Sequence, residues 1–362
     1  MRVGIYMPVS EKDRSDPPLY YDGVEKEYFR RAFSAVLGRN TYEDVELFWF
    51  DEGDNPSPCQ AIQTVSLHKH RSSLSLLRSA DSRLEQSIKE TALDVLLTRI
   101  DVPALRLSIP RVLFAADMLF HGESPPGSKT PPPPLNKKIK QSCTQARAIL
   151  CPSTYVHRSC SSRLEMGLEK AIVARAGVDE IFSQEQASMI EEPYALFILN
   201  RYTFPAVPTF LEAVKQNASL FPPNLVVLGP LHPQEPESWE LPVMRIKDFP
   251  DAMIAGLMQH AEVCIYPAHG DGSGMPVLQA LNAGAILITT KSGALFELAG
   301  AAPFYCEAGN HISLLQSLRR AKDENKNERR KRKQSARSLV MDCTWERCGT
   351  KILSTIKRSL LS

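Results

Sequence analysis

Short apolar segments alternate with amphipathic helical segments along the whole chain. Helical segments near 24–37 and 72–91 separate the strand candidates of the first half, which are 3–8, 45–50, 94–98, 111–115 and 148–152. The second half repeats the alternation, with strand candidates at 195–199, 225–228, 263–266 and 285–289. This order is typical of β-α-β units, in which parallel strands are covered by helices. The sequence therefore predicts an α/β fold.

The length of the chain, 362 residues, fits two domains of ordinary size better than one. A polar, acidic stretch that ends at Pro193 precedes the second series of strands and marks the change of unit. We predict an N-terminal domain over 1–185, a second domain over 186–343, and a helix over 344–362 that packs back on the body. Both domains are expected to be doubly wound and Rossmann-like. Ligands of such sheets lie beyond the carboxyl ends of the strands, so we expect the site in a cleft across which the domains face each other.

Composition and charge exclude several classes of protein. With 43% hydrophobic and 23% charged residues the chain is globular, and a net charge of +2 gives no overall footprint for nucleic acid. The first apolar segment ends at Pro8, too early for a secretory signal, and no run approaches the roughly 18 apolar residues of a membrane span. The eight cysteines form no CxxC pair, and three of them adjoin strand candidates, namely Cys151, Cys264 and Cys306. These features predict a cytoplasmic protein with buried thiols.

A basic segment lies in the last fifth of the chain. It runs from Leu318 to Arg337 and contains five consecutive cations, Arg329, Arg330, Lys331, Arg332 and Lys333. A solvated helix face explains such a run, and we favour that interpretation. Attraction to an anionic membrane surface or an acidic partner is the alternative, which would make the protein peripheral to a membrane.

A glycine-rich segment follows the strand candidate at 263–266. It contains Gly270, Gly272 and Gly274, and Pro276 stands where the next helix begins. Proline suits the first turn of a helix, and glycines let backbone amides approach an anionic ligand at the positive helix end. The segment is thus suited to the phosphates of a nucleotide or to a sugar, although glycines in a tight turn would look the same.

The whole arrangement is similar to the signature of the retaining GT-B glycosyltransferases of family 4. There a strand, the motif P-S-x-x-E-G-F-G-L-P-x-x-E-A-x-A-x-G and another strand occur in that order. The matching positions are Pro267, Asp271, Gly272, Gly274, Pro276, Ala280 and Gly284, with Met275 in place of the leucine. Weaker similarity covers most of the chain. The resemblance implies a GT-B fold, a nucleotide-diphosphate sugar (UDP-, GDP- or ADP-sugar) on the second domain, and no metal or other cofactor.

The resemblance also assigns roles to residues. The first acid of the motif contacts the donor sugar and falls on Asp271, and the second binds the ribose and falls on Gln279. Arg201 corresponds to the arginine that steadies the donor diphosphate, a task that suits a guanidinium fork. We therefore expect Asp271 and Arg201 to be catalytic. The expected donor-binding residues are Gly270, Gly272, Ser273, Gly274, Met275, Pro276, Val277, Gln279 and Glu297. Weaker candidates, for the acceptor or the cleft lining, are Gly23, Asp117 and His121.

Four positions depart from the family pattern. Asp271 is one methylene shorter than the family's glutamate, and Gln279 can hydrogen-bond a ribose but carries no charge. Segment 202–206 lacks the lysine that follows the arginine in the family. Ala116 stands where the family has a histidine before its aspartate. These departures weaken the expected grip on the sugar, the ribose and the leaving diphosphate.

Two hypotheses fit this pattern. The first is a retaining glycosyltransferase that moves the sugar to a hydroxyl of a carbohydrate, lipid-linked or protein acceptor, with Arg201, helix-end amides and Lys291 carrying the leaving-group charge. The second is a non-catalytic sugar-nucleotide-binding or scaffold protein on a degenerate GT-B fold. We favour the first, because losing one cation lowers a rate without forbidding turnover. A nucleotide-sugar epimerase or hydrolase would need acid–base groups that the sequence does not supply convincingly.

Overall fold

The computed structural model describes residues 1–7, 21–37, 42–51, 60–67, 80–102, 108–117, 137–164, 167–229, 236–247 and 249–361. Contacts within the chain divide these residues into two compact units. The first unit comprises the described residues up to Arg175 together with those from Trp345 onward, and the second comprises those of 176–344. In the described part of the chain, no helix combines the length and the apolar character needed to cross a membrane.

The first unit contains a parallel sheet of seven strands. They are β1 (Arg2–Tyr6), β2 (Glu46–Asp51), β3 (Gln63–Ser66), β4 (Val95–Arg99), β5 (Arg111–Phe114), β6 (Ala148–Cys151) and β7 (Ala171–Val173). Their order across the sheet is β3-β2-β1-β4-β5-β6-β7. Every residue of β4, β5 and β6 is buried, as expected for central strands covered on both faces. The helices between the strands are α1 (Tyr21–Ser34), α2 (Ala80–Glu90), α3 (Lys137–Gln145) and α4 (Thr154–Leu164).

The second unit contains a parallel sheet of six strands. They are β8 (Tyr194–Ile198), β9 (Asn224–Leu228), β10 (Val243–Ile246), β11 (Val263–Tyr266), β12 (Leu287–Thr290) and β13 (Phe304–Cys306). The order is β10-β9-β8-β11-β12-β13. Strands β8, β11 and β12 are neighbours and run in the same direction. The loops that follow these three strands therefore meet at one edge of the sheet.

Six helices accompany this second sheet in the described residues. They are α5 (Val207–Gln216), α6 (Asp251–His260), α7 (Met275–Ala283), α8 (Leu295–Ala299), α9 (His311–Asp323) and α10 (Lys326–Val340). Aromatic side chains fill one side of the core: the ring of Phe197 lies 4.8 Å from that of Phe210 and 5.7 Å from that of Trp239. Edge-to-face pairs of this kind add to the free energy gained by burying the rings.

The last helix, α11 (Trp345–Ser359), returns to the first unit and packs on α1. Trp345 meets Tyr28 edge to face, with 5.6 Å between ring centres. Gly349 faces the backbone of α1 so closely that a Cβ there would overlap the carbonyl oxygen of Ala32. Glycine at this position allows the two helices to approach.

The expected α/β architecture with two parallel sheets is confirmed by these strands. The three thiols expected in the core, those of Cys151, Cys264 and Cys306, are free and buried. Burial raises the pKa of Cys264 to about 12 and that of Cys306 to about 12, so both remain protonated.

Candidate functional site

The glycine loop after β11 is organised by the carboxylate of Asp271. One carboxylate oxygen, Oδ1, accepts hydrogen bonds from the backbone N–H of Ser273 at 2.9 Å, the hydroxyl of Ser273 at 3.1 Å and the N–H of Gly274 at 2.9 Å. The side chain folds back over its own loop, and the residue is only 1% exposed. The Asp271 carboxylate thus fixes the backbone at the start of α7.

The second oxygen of Asp271 is held from the strand. Tyr266, the last residue of β11, donates its hydroxyl to Oδ2 at 2.8 Å. The same hydroxyl oxygen accepts a hydrogen bond from the side-chain amide of Asn200 at 3.1 Å. Burial, the larger cause, and the nearby charge of Asp271 raise the pKa of Tyr266 well above its ordinary value. The hydroxyl therefore keeps its proton. A buried chain from Asn200 through Tyr266 to Asp271 therefore connects the loops after β8 and β11.

The loop after β8 presents Arg201. Asn200 forms an Asx turn, in which its side-chain oxygen accepts from the N–H of Tyr202 at 2.9 Å and of Thr203 at 3.2 Å. The Thr203 hydroxyl donates to the carbonyl of Ile198 at 2.8 Å and accepts from the N–H of Asn200. Arg201 is 8% exposed, its guanidinium lies 4.5 Å from the ring centre of Tyr202, and it donates to the Tyr202 hydroxyl. A cation is thus held in a fixed turn beside the glycine loop.

A third loop follows β12 and is hydrogen-bonded to the glycine loop. It is called the supporting loop. Ser292 accepts a hydrogen bond from the N–H of Gly270 on its hydroxyl oxygen, at 2.7 Å. The N–H of Ala294 donates to the carbonyl of Asp271 at 2.9 Å. Gly293, between them, has a φ of 62° and lies so close that an added Cβ would overlap the carbonyl oxygen of Asp271. Glycine is required here both by the left-handed backbone and by the close approach.

Helix α7 begins directly at this loop. Gly274 precedes it with a φ of 59°, and Pro276 occupies its first turn, where no N–H is needed. The N–H of Met275 has only a long contact, 3.5 Å, with the Ser273 hydroxyl. Among the described residues the N–H of Val277 has no hydrogen-bond acceptor. Val277 is fully buried, so the helix start offers the N–H of Met275 as an amide donor in addition to its positive dipole end.

The structure brings several of the sequence-predicted residues together. Arg201, Asp271 and the loop residues form one connected cluster at the edge of the second sheet; the loop residues are Gly270, Gly272, Ser273, Gly274, Met275, Pro276 and Val277. Gln279 follows on α7, half-buried, one turn after Met275. Glu297 is exposed on the short helix α8, which leads out of the supporting loop.

The weaker candidates lie elsewhere. Gly23 is in α1, and Asp117 is buried shortly after β5, both in the first unit. His121 lies outside the described residues. Lys291 follows β12, but its ammonium nitrogen lies 5.2 Å and 5.4 Å from the ring centres of Phe296 and Tyr305, so its charge is directed at two aromatic rings.

Four residues that sequence reasoning did not select complete the site: Tyr266, Asn200, Ser292 and Gly293. Their position at the end of, or within four residues after, three strand candidates was the available signal. His269 joins them through its backbone N–H, which donates to the carbonyl of Tyr202 at 2.8 Å. Burial lowers the pKa of His269, and its Nε2 atom is buried without a partner in the described structure. The imidazole is therefore neutral near pH 7.

The basic run lies on α10, which begins with a capping box formed by Asn325 and Glu328. Arg332 binds Glu324 at 2.6 Å and stacks 4.1 Å from the ring centre of Phe304, while Arg329 donates to the carbonyl of Ala321. Lys333 is half-buried, and the run's two exposed cations are Arg330 and Lys331.

No group of three or more acidic, histidine or cysteine side chains suited to a metal ion occurs in the portion of the chain that is described.

The buried carboxyl of Asp271 predicts a pH dependence of stability. Burial raises its pKa above the ordinary value of 3.8, against the opposing hydrogen bonds from Gly274, Tyr266 and Ser273. Above pH of about 4 the unfolded chain loses this proton before the folded protein does, so this contribution to stability falls as pH rises through the folded pKa. We expect the free energy of unfolding of the wild type minus that of Asp271→Asn to fall between pH 4 and 8. Urea unfolding of both proteins measures it, and a flat or rising difference would contradict the assignment.

The chain resembles known proteins at the level of solved structures. No protein-family profile matches the chain, and no curated protein matches it significantly. Solved structures match almost all of it. A glycosyltransferase from Rickettsia africae is 13% identical with a TM-score of 0.72, covering 99% of this chain and 98% of its own. Sucrose-phosphate synthase from Thermosynechococcus elongatus is 11% identical with a TM-score of 0.73, covering 99% of each chain.

A third match carries ligands. The structure of Anabaena HepE in complex with UDP and glucose is 13% identical, with a TM-score of 0.71, and the alignment covers 98% of this chain and 99% of that one. At these identities the likeness concerns the fold. The chain therefore has the GT-B fold of glycosyltransferases, which confirms the fold class expected from the glycine-rich motif.

Proposed function

We propose that the protein is a glycosyltransferase that binds a nucleotide-diphosphate sugar on its second unit. The observation that carries the proposal is the connection of Arg201 to the glycine loop through Asn200, Tyr266 and Asp271. This connection places a buried cation and the start of α7, with the N–H of Met275, at the carboxyl edge of the parallel sheet, where ligands of such folds bind. The GT-B fold, shared with a protein solved with UDP and glucose, supports the same site.

Each group has a role in this proposal. The Arg201 guanidinium binds the diphosphate, assisted by the N–H group of Met275 at the start of α7. Gln279 hydrogen-bonds the nucleotide ribose through its neutral amide. Asp271 holds the glycine loop in its conformation, because its carboxylate oxygens accept hydrogen bonds from Ser273, Gly274 and Tyr266. Glu297 is assigned to the donor only through its place after the supporting loop.

The reaction we propose transfers the sugar with retention. The bond between the anomeric carbon and the diphosphate oxygen breaks, and the acceptor oxygen bonds to the same carbon on the same face. The acceptor proton passes to the leaving diphosphate, whose negative charge Arg201 stabilises. The acceptor hydroxyl belongs to a carbohydrate, lipid-linked or protein substrate that binds on the first unit, where Gly23 and Asp117 lie.

A second candidate function follows from two observations. Segment 202–206 supplies no lysine beside Arg201, and the Asp271 carboxylate is engaged within its loop. A protein with this site could bind a nucleotide sugar without transferring it. The two functions share the ligand and differ in turnover.

Purified protein mixed with radiolabelled UDP-, GDP- and ADP-sugars tests both. We expect one nucleotide series to bind and its donor to be slowly hydrolysed, because a transferase that lacks its acceptor transfers to water. Binding without hydrolysis, and without transfer to any acceptor in a glycan panel, would favour the non-catalytic function. Absence of both binding and hydrolysis for all three donors would exclude the site as proposed.

A further inference from the structure

The hydrogen-bonding capacity of the Asp271 carboxylate is almost used up inside the protein. An ionised carboxylate has about four acceptor positions on its two oxygens. Three hydrogen bonds reach Oδ1, from Ser273 twice and from Gly274, and one reaches Oδ2 from Tyr266. With 1% of the residue exposed, little surface remains for a ligand.

Tyr266 keeps the carboxylate in this arrangement from the strand side. Its hydroxyl proton points to Asp271 Oδ2, because its oxygen accepts from Asn200. Asn200 is itself fixed by the Asx turn that presents Arg201. Moving the carboxylate toward a sugar would break the hydrogen bonds at the start of α7 and leave the Tyr266 hydroxyl without its acceptor in the interior, which is unfavourable.

We propose that Asp271 is a positioning residue that does not contact the donor sugar, so that the site recognises a nucleoside diphosphate with nearly the affinity of the nucleotide sugar. This inference rests on the proposed function and specifies its ligand: the nucleotide and its diphosphate are bound, and the hydroxyls of the transferred sugar are not distinguished by this carboxylate. Among the described residues, the donors proposed for the diphosphate are the Arg201 guanidinium and the N–H group of Met275.

The ratio of two dissociation constants tests the role of Asp271. The probes are UDP with UDP-glucose, GDP with GDP-mannose, and ADP with ADP-glucose, measured by titration calorimetry on the full chain. In the series that binds, we expect the diphosphate and its sugar to differ by less than about threefold. In Asp271→Asn both affinities should fall by about tenfold, because a charged hydrogen-bond acceptor of the loop is lost, while their ratio stays within threefold.

Tyr266→Phe supplies an independent readout should Asp271→Asn not fold. Removing the hydroxyl takes one hydrogen bond from Oδ2 without exposing the buried carboxylate, so both affinities should fall together while their ratio stays within threefold. Tyr305→Phe is the matched control, because it removes a hydroxyl bonded to the carbonyl of Gly300 outside the glycine loop. It should leave both affinities, and therefore their ratio, unchanged.

The outcomes separate this inference from the proposed function. A ratio above about threefold in the wild type that collapses to one in Asp271→Asn would overturn the inference and leave the proposed function standing. A ratio in Tyr266→Phe that differs from the wild-type ratio by more than threefold would also overturn it. If none of the six probes binds the wild type, the proposed function fails and the inference fails with it.

Discussion

Replacing Arg201 by alanine is expected to weaken nucleoside diphosphate binding by roughly 30- to 1,000-fold. Removing one partner of a buried charge pair costs about 2–4 kcal/mol, part of which is the penalty for leaving the other charge unpaired. Arg201 is buried in a fixed Asx turn, so the position of its backbone is set by the protein itself. Arg201→Lys should lie between alanine and wild type, since lysine keeps the charge but lacks the planar fork. Titration of UDP, GDP and ADP measures the effect.

Arg332→Ala is the matched control for this prediction. Arg332 is also an arginine stacked on an aromatic ring in the second unit, that of Phe304, and it pairs with Glu324. Its loss should lower the free energy of unfolding and leave nucleotide affinity unchanged within about twofold, because its partners lie outside the glycine loop. Equal losses of affinity in the two variants would show that Arg201 has no specific part in binding.

The central strands were predictable from sequence, and the edge strands were not. All nine strand candidates overlap an observed strand, for example 263–266 with β11 and 111–115 with β5. The four strands without a candidate are β3, β7, β10 and β13, and these are the edges of the two sheets. An edge strand is short and partly exposed, as in β3 and β10, where the first two residues are exposed. It therefore lacks the continuous apolar run that a buried central strand shows.

The site was predictable to the level of its loops. In the sequence, the glycines and the proline after β11 indicated where a helix start lies. Arg201 was indicated by its position just after β8. The partner of each polar group was not predictable, because it depends on sheet order: Asn200 reaches Tyr266 only because β8 and β11 are neighbours. The same holds for Ser292, which reaches Gly270 because β12 adjoins β11.

Gly293→Ala is expected to lower both stability and nucleotide binding. The residue has a φ of 62°, and an alanine in this left-handed conformation costs about 1–2 kcal/mol. An added Cβ would also overlap the carbonyl oxygen of Asp271 and lie 3.0 Å from its nitrogen. Backbone atoms cannot rotate away as a side chain does, so the loops must separate, at a further cost of about 1–3 kcal/mol. We expect a loss of about 2–5 kcal/mol in the free energy of unfolding and more than tenfold in nucleotide affinity.

Gly309→Ala separates the cost of the left-handed backbone from the cost of the overlap with Asp271. Gly309 has a similar φ of 72°, and a Cβ there would meet nothing within 4 Å. Its substitution should cost only the backbone term of about 1–2 kcal/mol and leave nucleotide affinity unchanged. Urea unfolding and UDP, GDP and ADP titration of both variants give the comparison. If Gly293→Ala behaves like Gly309→Ala in both measurements, the loop after β12 does not support the glycine loop. If only Gly293→Ala loses affinity, the position of Asp271 relative to this loop determines binding, since the two glycines otherwise share the same conformational requirement.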